Sequence, residues 1–353
     1  MFISDFSIYR FMINTKTLLI VGAGASHPYG YPTGIKLKGE LCDPKNLTDL
    51  KSLVLDDELT EFCRAFKGSQ KYSIDAFLAQ RGKDQVLKTN NLKKETTFNG
   101  SITYEKLGKL AIASQLTKCE KLNNLLVVKD DHWMEYLWNR MTANEIPKSK
   151  FVDNQLKIIS FNYDRALEQY FQTVIENHFG VSNEEAITLR KSIEIIHVYG
   201  YLQDLEERPY GEPPIDISKV ANCIKVIPET RNADDQEFEK ARQMIDWATR
   251  ICFIGFGFDP LNLTRLGVNG LPMSKFFGAN LDGKRIGNSQ YGFSRYGKTE
   301  TDINNVKRLL IGNYETPTGV IGESFSTKGL SKLKTMKYLE HIDLFGDARR
   351  ILF

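Results

Sequence analysis

Four apolar residues, Leu18-Leu19-Ile20-Val21, run without interruption into Gly22-Ala23-Gly24-Ala25-Ser26. An unbroken apolar run of this length is the pattern of a strand buried on both faces, and such strands belong to parallel sheets covered by helices. A turn of small residues after it, with a helix to follow, is how α/β proteins bring backbone N–H groups up to a phosphate. Gly22 permits the tight turn, and Gly24 leaves no side chain between the backbone and a pyrophosphate. His27 stands where the third glycine of G-x-G-x-x-G would be, so the full dinucleotide fingerprint is absent. A plain strand-to-helix turn is the competing reading of this stretch.

The same pattern recurs along the chain. Lys157–Ser160 runs into Phe161-Asn162-Tyr163-Asp164, followed by a helical stretch with Leu167, Tyr170, Phe171, Val174 and Ile175 on one face. Ile193–Val198 ends near His197 and Gly200. Cys223–Ile227 reads as another short strand, and 235–250 as a helix. Ile251–Ile254 runs into Gly255-Phe256-Gly257-Phe258-Asp259-Pro260. Strands that alternate with helices predict an α/β fold, a Rossmann-like parallel sheet with helices on both faces. Ligands in such sheets bind outside the carboxyl ends of the strands, where all these turns would lie.

Residues 43–150 interrupt the alternation with helical spacing: Leu59, Phe62 and Phe66, then Ile74, Phe77 and Leu78 behind an N-cap at Ser73, then Trp133, Tyr136, Leu137 and Met141. The expected organisation is an α/β domain made of 1–42 and 151–330, a mostly helical insertion at 43–150, and a C-terminal tail at 331–353. Residues 1–15 read as a leading arm, 87–103 as a polar surface excursion, 281–297 as a strand and turn, and 301–312 as a helix.

Composition narrows the function. Among 353 residues the formal net charge is +3, and lysines and arginines are interleaved with acids. No basic stripe for nucleic acid results. The five cysteines include no C-x-x-C pair, which argues against a disulfide framework and a four-cysteine zinc site and for reduced thiols in the cytoplasm. No stretch approaches the ~20 apolar residues of a membrane span.

Several residue types could carry chemistry. The Asn162 amide could hold a water or a ribose hydroxyl, with Asp164 fixing it; a helix-capping turn is the competing reading. His197 could act as a base near neutral pH, or could be a core histidine bonded to a carbonyl. His27 lies close to the glycine turn. Gly255 and Gly257 allow close backbone approach, and Asp259 or Asn262 could accept from ribose hydroxyls; Asp259 could equally cap a helix.

GAGAS with Pro32-Thr33-Gly34 soon after, SIDAFL, SFNYD, IIHVYGYL and FIGFGFDPLN follow one another across residues 16–262. In order and spacing they resemble the sirtuin superfamily, above all the bacterial sirtuin-like domains of anti-phage defence systems. The resemblance implies a Rossmann-like NAD-binding sheet. It maps Gly22, Ala23, Gly24 and Ser26, with Pro32 and Thr33, to cofactor contact. Asn162 and Asp164 map to the nicotinamide-ribose pocket, His197 to the catalytic base, and Gly255, Gly257, Phe258, Asp259 and Asn262 to further NAD contacts. The histidine departs from the usual pattern. It lies three residues before Gly200, and Tyr199 takes the place directly before the glycine.

Deacylase sirtuins carry a four-cysteine zinc module, which this chain lacks. The resemblance therefore implies a metal-free NAD+ hydrolase, releasing nicotinamide and ADP-ribose as an antiviral effector. It also implies a homo-oligomer and a regulatory partner, a HerA-type ATPase or a short Argonaute, on the 43–150 block or the tail. A subunit that binds NAD or ADP-ribose without turnover is the alternative.

Overall fold

The computed structural model describes residues 12–81, 84–87, 102–128, 132–143, 145–226 and 235–268, and the backbone of Gln290–Phe293. Five strands form one parallel sheet: β1 (Thr17–Val21), β2 (Leu156–Ser160), β3 (Glu194–His197), β4 (Arg250–Ile254) and β5 (Gln290–Phe293), in the order β3-β2-β1-β4-β5. The expected α/β, Rossmann-like architecture is the observed one. β1 is buried along its whole length, as its unbroken apolar run requires.

The chain leaves β1 through helices toward β2 and β3, then crosses to the other side of β1 to form β4. The order therefore reverses between β1 and β4, and this reversal is where ligands of doubly wound sheets bind. Register brings the turns to one edge. Val21 pairs with Ser160 and with Ile254, and Ser160 pairs with His197. Gly22, Phe161, Val198 and Gly255 thus leave the sheet side by side, with Asn162 one residue beyond Phe161.

The block between β1 and β2 is helical among its described residues, with an isolated bridge between Val86 and Thr103. Leu59, Phe62 and Phe66 of helix Asp56–Gly68 are buried, and so are Trp133, Leu137 and Met141 of Trp133–Met141. The Ser73 hydroxyl accepts from Ala76 N at 3.1 Å, the cap read from the sequence. These helices share one apolar core with the sheet, so the insertion is built into the α/β layer.

One expected strand is corrected. Residues 217–222 form helix Ile217–Asn222, Cys223 caps it, and Ile224 makes only a single antiparallel bridge to Gly200. Ile224 and Val226 are buried, which explains their apolar character. Lys225 N donates to Tyr199 O at 2.7 Å, so this run closes the loop after β3. β5 lies within the expected 281–297 strand region. Residues 1–11 of the leading arm, most of the polar excursion, the 301–312 helix and the 331–353 tail lie outside the described residues.

Candidate functional site

The glycine turn of β1 and that of β4 are pressed together, backbone against backbone. Gly24 N donates to Gly255 O at 3.0 Å, and Gly22 N to Ile254 O at 3.0 Å. A Cβ on Gly22 would lie 2.8 Å from Gly255 O, and one on Gly24 2.8 Å from Gly255 Cα. The glycines expected to admit a pyrophosphate are thus required first by the packing of these two turns. From the helical insertion, Trp133 Nε1 donates to Ala25 O at 2.8 Å and fixes the turn from behind.

Asn162 joins this turn to the end of β2. Its Nδ2 donates to Gly22 O at 3.0 Å and to Ser26 Oγ at 3.0 Å, and its backbone N to Ser160 Oγ at 3.1 Å. The residue is buried, and its Oδ1 has no hydrogen-bond partner. Leaving a buried acceptor unsatisfied costs about 1–3 kcal/mol, so such an atom signals a ligand or a bound water.

Asp164 completes the group. Its carboxylate accepts from Ala166 N at 3.2 Å and from the Ser26 hydroxyl. The capping turn and the site reading therefore coexist in one residue. Burial pushes its pKa up to about 6, against the Ser26 and Ala166 bonds and the His197 charge that favour the carboxylate. A raised folded-state pKa means stability that is full below the unfolded value near ~3.9 and is lost as pH rises through about 6. Asp164→Asn removes the buried charge and keeps the length. We expect it to stabilise the fold at pH 8 by up to about 3 kcal/mol, two pKa units' worth, with little gain at pH 4. Urea unfolding at both pH values checks this; equal stability of variant and wild type at pH 8 would contradict it.

His197 is buried, and both ring nitrogens are engaged. Nδ1 lies 2.8 Å from Asn162 O and Nε2 2.7 Å from Glu168 Oε1. Its ring stacks on Tyr201, with centroids 4.7 Å apart. Burial pulls its pKa down, but Glu168 and the Asn162 carbonyl more than reverse that and raise it. Glu168 shows the mirror image: burial raises it, and His197 holds it below its ordinary value. Sequence reasoning missed Glu168, although an acid three residues before Phe171 and seven before Ile175 on a buried helix face was a readable anomaly.

The other candidates divide. Asp259 caps helix Pro260–Leu266, accepting from Leu261 N at 3.0 Å and Asn262 N at 3.1 Å, and takes the Tyr72 hydroxyl at 2.6 Å. Asn262 Oδ1 accepts from Tyr199 OH at 2.5 Å. Phe258 is buried against Phe253 and Phe256, whereas Gly257 is open to solvent. Pro32 is buried, and Thr33 starts helix Gly34–Leu41. His27 bonds within its own loop, to Tyr31 O at 3.1 Å. The structure thus brings together Gly22, Ser26, Asn162, Asp164 and His197, with Gly24 and Gly255 beneath them.

Among the described residues, no group of three or more His, Cys, Asp or Glu is arranged to hold a metal ion. No helix among them is long and apolar enough to cross a membrane. In comparisons of the sequence with known protein families and with curated proteins, nothing matched.

Proposed function

We propose that this chain is a sirtuin-like NAD+ hydrolase that cleaves the bond between nicotinamide and ribose. The observation that carries the reading is the unpartnered Oδ1 of Asn162, buried at the strand edge and rigidly held by the glycine turn. An acceptor fixed in this way suits a water or a ribose hydroxyl. The bonds of Asn162 to Gly22 and Ser26 tie it to the turn of β1, the strand that borders the reversal toward β4.

The chemistry asks little of the protein. The pyridinium charge already activates the leaving group. Water adds to the anomeric carbon as the glycosidic bond breaks, and the bonding pair departs with neutral nicotinamide. The water proton passes to Asp164, whose carboxyl is poised near neutrality and linked to Asn162 through the Ser26 hydroxyl. The role in antiviral defence, the homo-oligomer and the HerA-type or Argonaute partner belong to the same proposal and rest on the sequence resemblance.

Purified protein is expected to release nicotinamide from NAD+, and Asn162→Ala to lower that rate about a hundredfold or more with the fold intact. Chromatography of the products checks it. An unchanged rate in Asn162→Ala would remove Asn162 from the site. A second reading, NAD or ADP-ribose binding without turnover, is favoured by one feature: both His197 nitrogens are occupied. Calorimetric binding without any nicotinamide release, alone or with partners, would establish it in place of the hydrolase.

A further inference from the structure

We infer that Glu168 is a positioning residue of this site: its carboxylate keeps His197 doubly protonated, and His197 clamps the Asn162 main chain instead of taking a proton in turnover. The inference rests on the proposed hydrolase for its functional part and on geometry alone for the charge state.

A carbonyl oxygen can only accept, so the His197 Nδ1 that lies 2.8 Å from Asn162 O must carry a hydrogen. A carboxylate also accepts, so the Nε2 that lies 2.7 Å from Glu168 Oε1 carries the other. The ring is then an imidazolium with no free lone pair. The groups that face it come from three elements. Glu168 sits on helix Ala166–Phe179, Asp164 in the turn after β2, and Tyr201, stacked on the ring, in the loop after β3. Arg190 of helix Asn183–Lys191 also favours the Glu168 carboxylate. Both acids near the ring favour its charged form.

The consequence falls on Asn162. Its carbonyl is held by His197, its N–H by Ser160, and its Nδ2 by Gly22 and Ser26. Every polar atom of the residue is anchored except Oδ1. An acceptor that must be placed to within a fraction of an ångström is preorganised in this way, by bonds to all the atoms around it. Removing the charge on Glu168 would let the imidazole lose a proton. The proton would leave from Nε2, which can then accept from the glutamine amide, and the Nδ1–H bond to the Asn162 carbonyl would lose its charge assistance and let the acceptor loosen.

The test uses Glu168→Gln, which keeps length and an acceptor but not charge. Nitrogen-correlated NMR of the histidine rings, with His197 assigned by His197→Asn, reads the charge state without any assay. In wild type, His197 is expected to be an imidazolium at pH 7; in the variant it should lose its proton at lower pH than in wild type, because burial then pulls its pKa down without Glu168 to oppose it. Nicotinamide release by Glu168→Gln is expected to fall about tenfold or more in kcat at pH 8, with KM within about threefold. Its rate should fall with rising pH as His197 loses its proton, at lower pH than any such fall in wild type. A merely structural residue would lower the rate evenly across pH. A neutral His197 ring in wild type at pH 7, or a variant rate that rises with pH as His197 loses its proton, would overturn the inference. If wild type releases no nicotinamide, the hydrolase reading fails, and the ring signals alone still decide whether Glu168 holds the charge.

Discussion

Gly255→Ala is expected to leave little folded protein. The methyl group would sit 1.9 Å from Ala25 N, 2.3 Å from Gly24 C and 2.7 Å from Gly24 Cα. All three are backbone atoms, so no rotamer change relieves the overlap. Nor can the turns separate, because β1 and β4 are neighbours in the middle of the sheet and are bonded up to this point through Gly22 N and Gly24 N. Gly255 also has φ +58, a region that costs a residue with a Cβ about 1–2 kcal/mol by itself. Together these exceed the ~4–5 kcal/mol at which a single substitution becomes exceptional, against a total stability of about 5–15 kcal/mol. Soluble yield and thermal melting measure the effect. Gly257→Ala, two residues on, is the control: a Cβ there meets nothing within 4 Å, and its cost should stay within about 0.5 kcal/mol. A Gly255→Ala protein that melts within 2 °C (roughly ~1 kcal/mol) of wild type would refute the packing account.

This contact also marks where the sequence stops being informative. That residues 18–21 form a buried strand is a local property, visible as an unbroken apolar run, and so are the helices 56–68, 133–141 and 166–179 with their apolar stripes. The gathering of Gly22, Asn162, His197 and Gly255 at one edge followed from the alternation of strands and helices. What each glycine is for did not follow, because the partner of Gly24 lies more than two hundred residues away. Ile224 and Val226 failed for a related reason. Burial makes a short run apolar whether it joins a sheet or closes a loop, and here it does the latter. His197 was legible as a strand-end imidazole, but its charge depends on Glu168 across 29 residues. Glu168 itself could have been noticed, since a charge among Phe171 and Ile175 on an inward helix face needs a partner.

Glu120→Gln should be the most damaging substitution that alters no backbone. Glu120 is fully buried at its side chain and serves two guanidinium groups at once. Arg165 reaches it through Nε at 2.9 Å and Nη2 at 2.8 Å, and Arg208 through Nη1 at 2.7 Å and Nη2 at 2.9 Å. Gly211 N adds a fifth bond at 3.2 Å. Arg165 spends its remaining donor on the carbonyls of Gln203, Asp204 and Arg208. One carboxylate thus neutralises half of two buried cations, and guanidinium groups cannot shed their protons to compensate. Glutamine fits the space but brings no charge and offers one acceptor where two were used. Breaking a buried pair by removing one partner costs about 3–5 kcal/mol, and here two cations lose the same partner. Arg208→Met should cost less, because it leaves the two-bond Arg165–Glu120 pair whole. Urea midpoints for the two variants give the order, which 0.5 M salt should not change, since buried charges are little screened. A Glu120→Gln loss below ~1 kcal/mol would show that the carboxylate is dispensable. The same lock bears on function. Glu120 lies in the helical insertion, Arg208 follows β3, and Arg165 is the residue next to Asp164. Loosening it should therefore lower nicotinamide release at temperatures where the protein is still folded, because the turn that carries Asn162 and Asp164 is held from this side by Arg165.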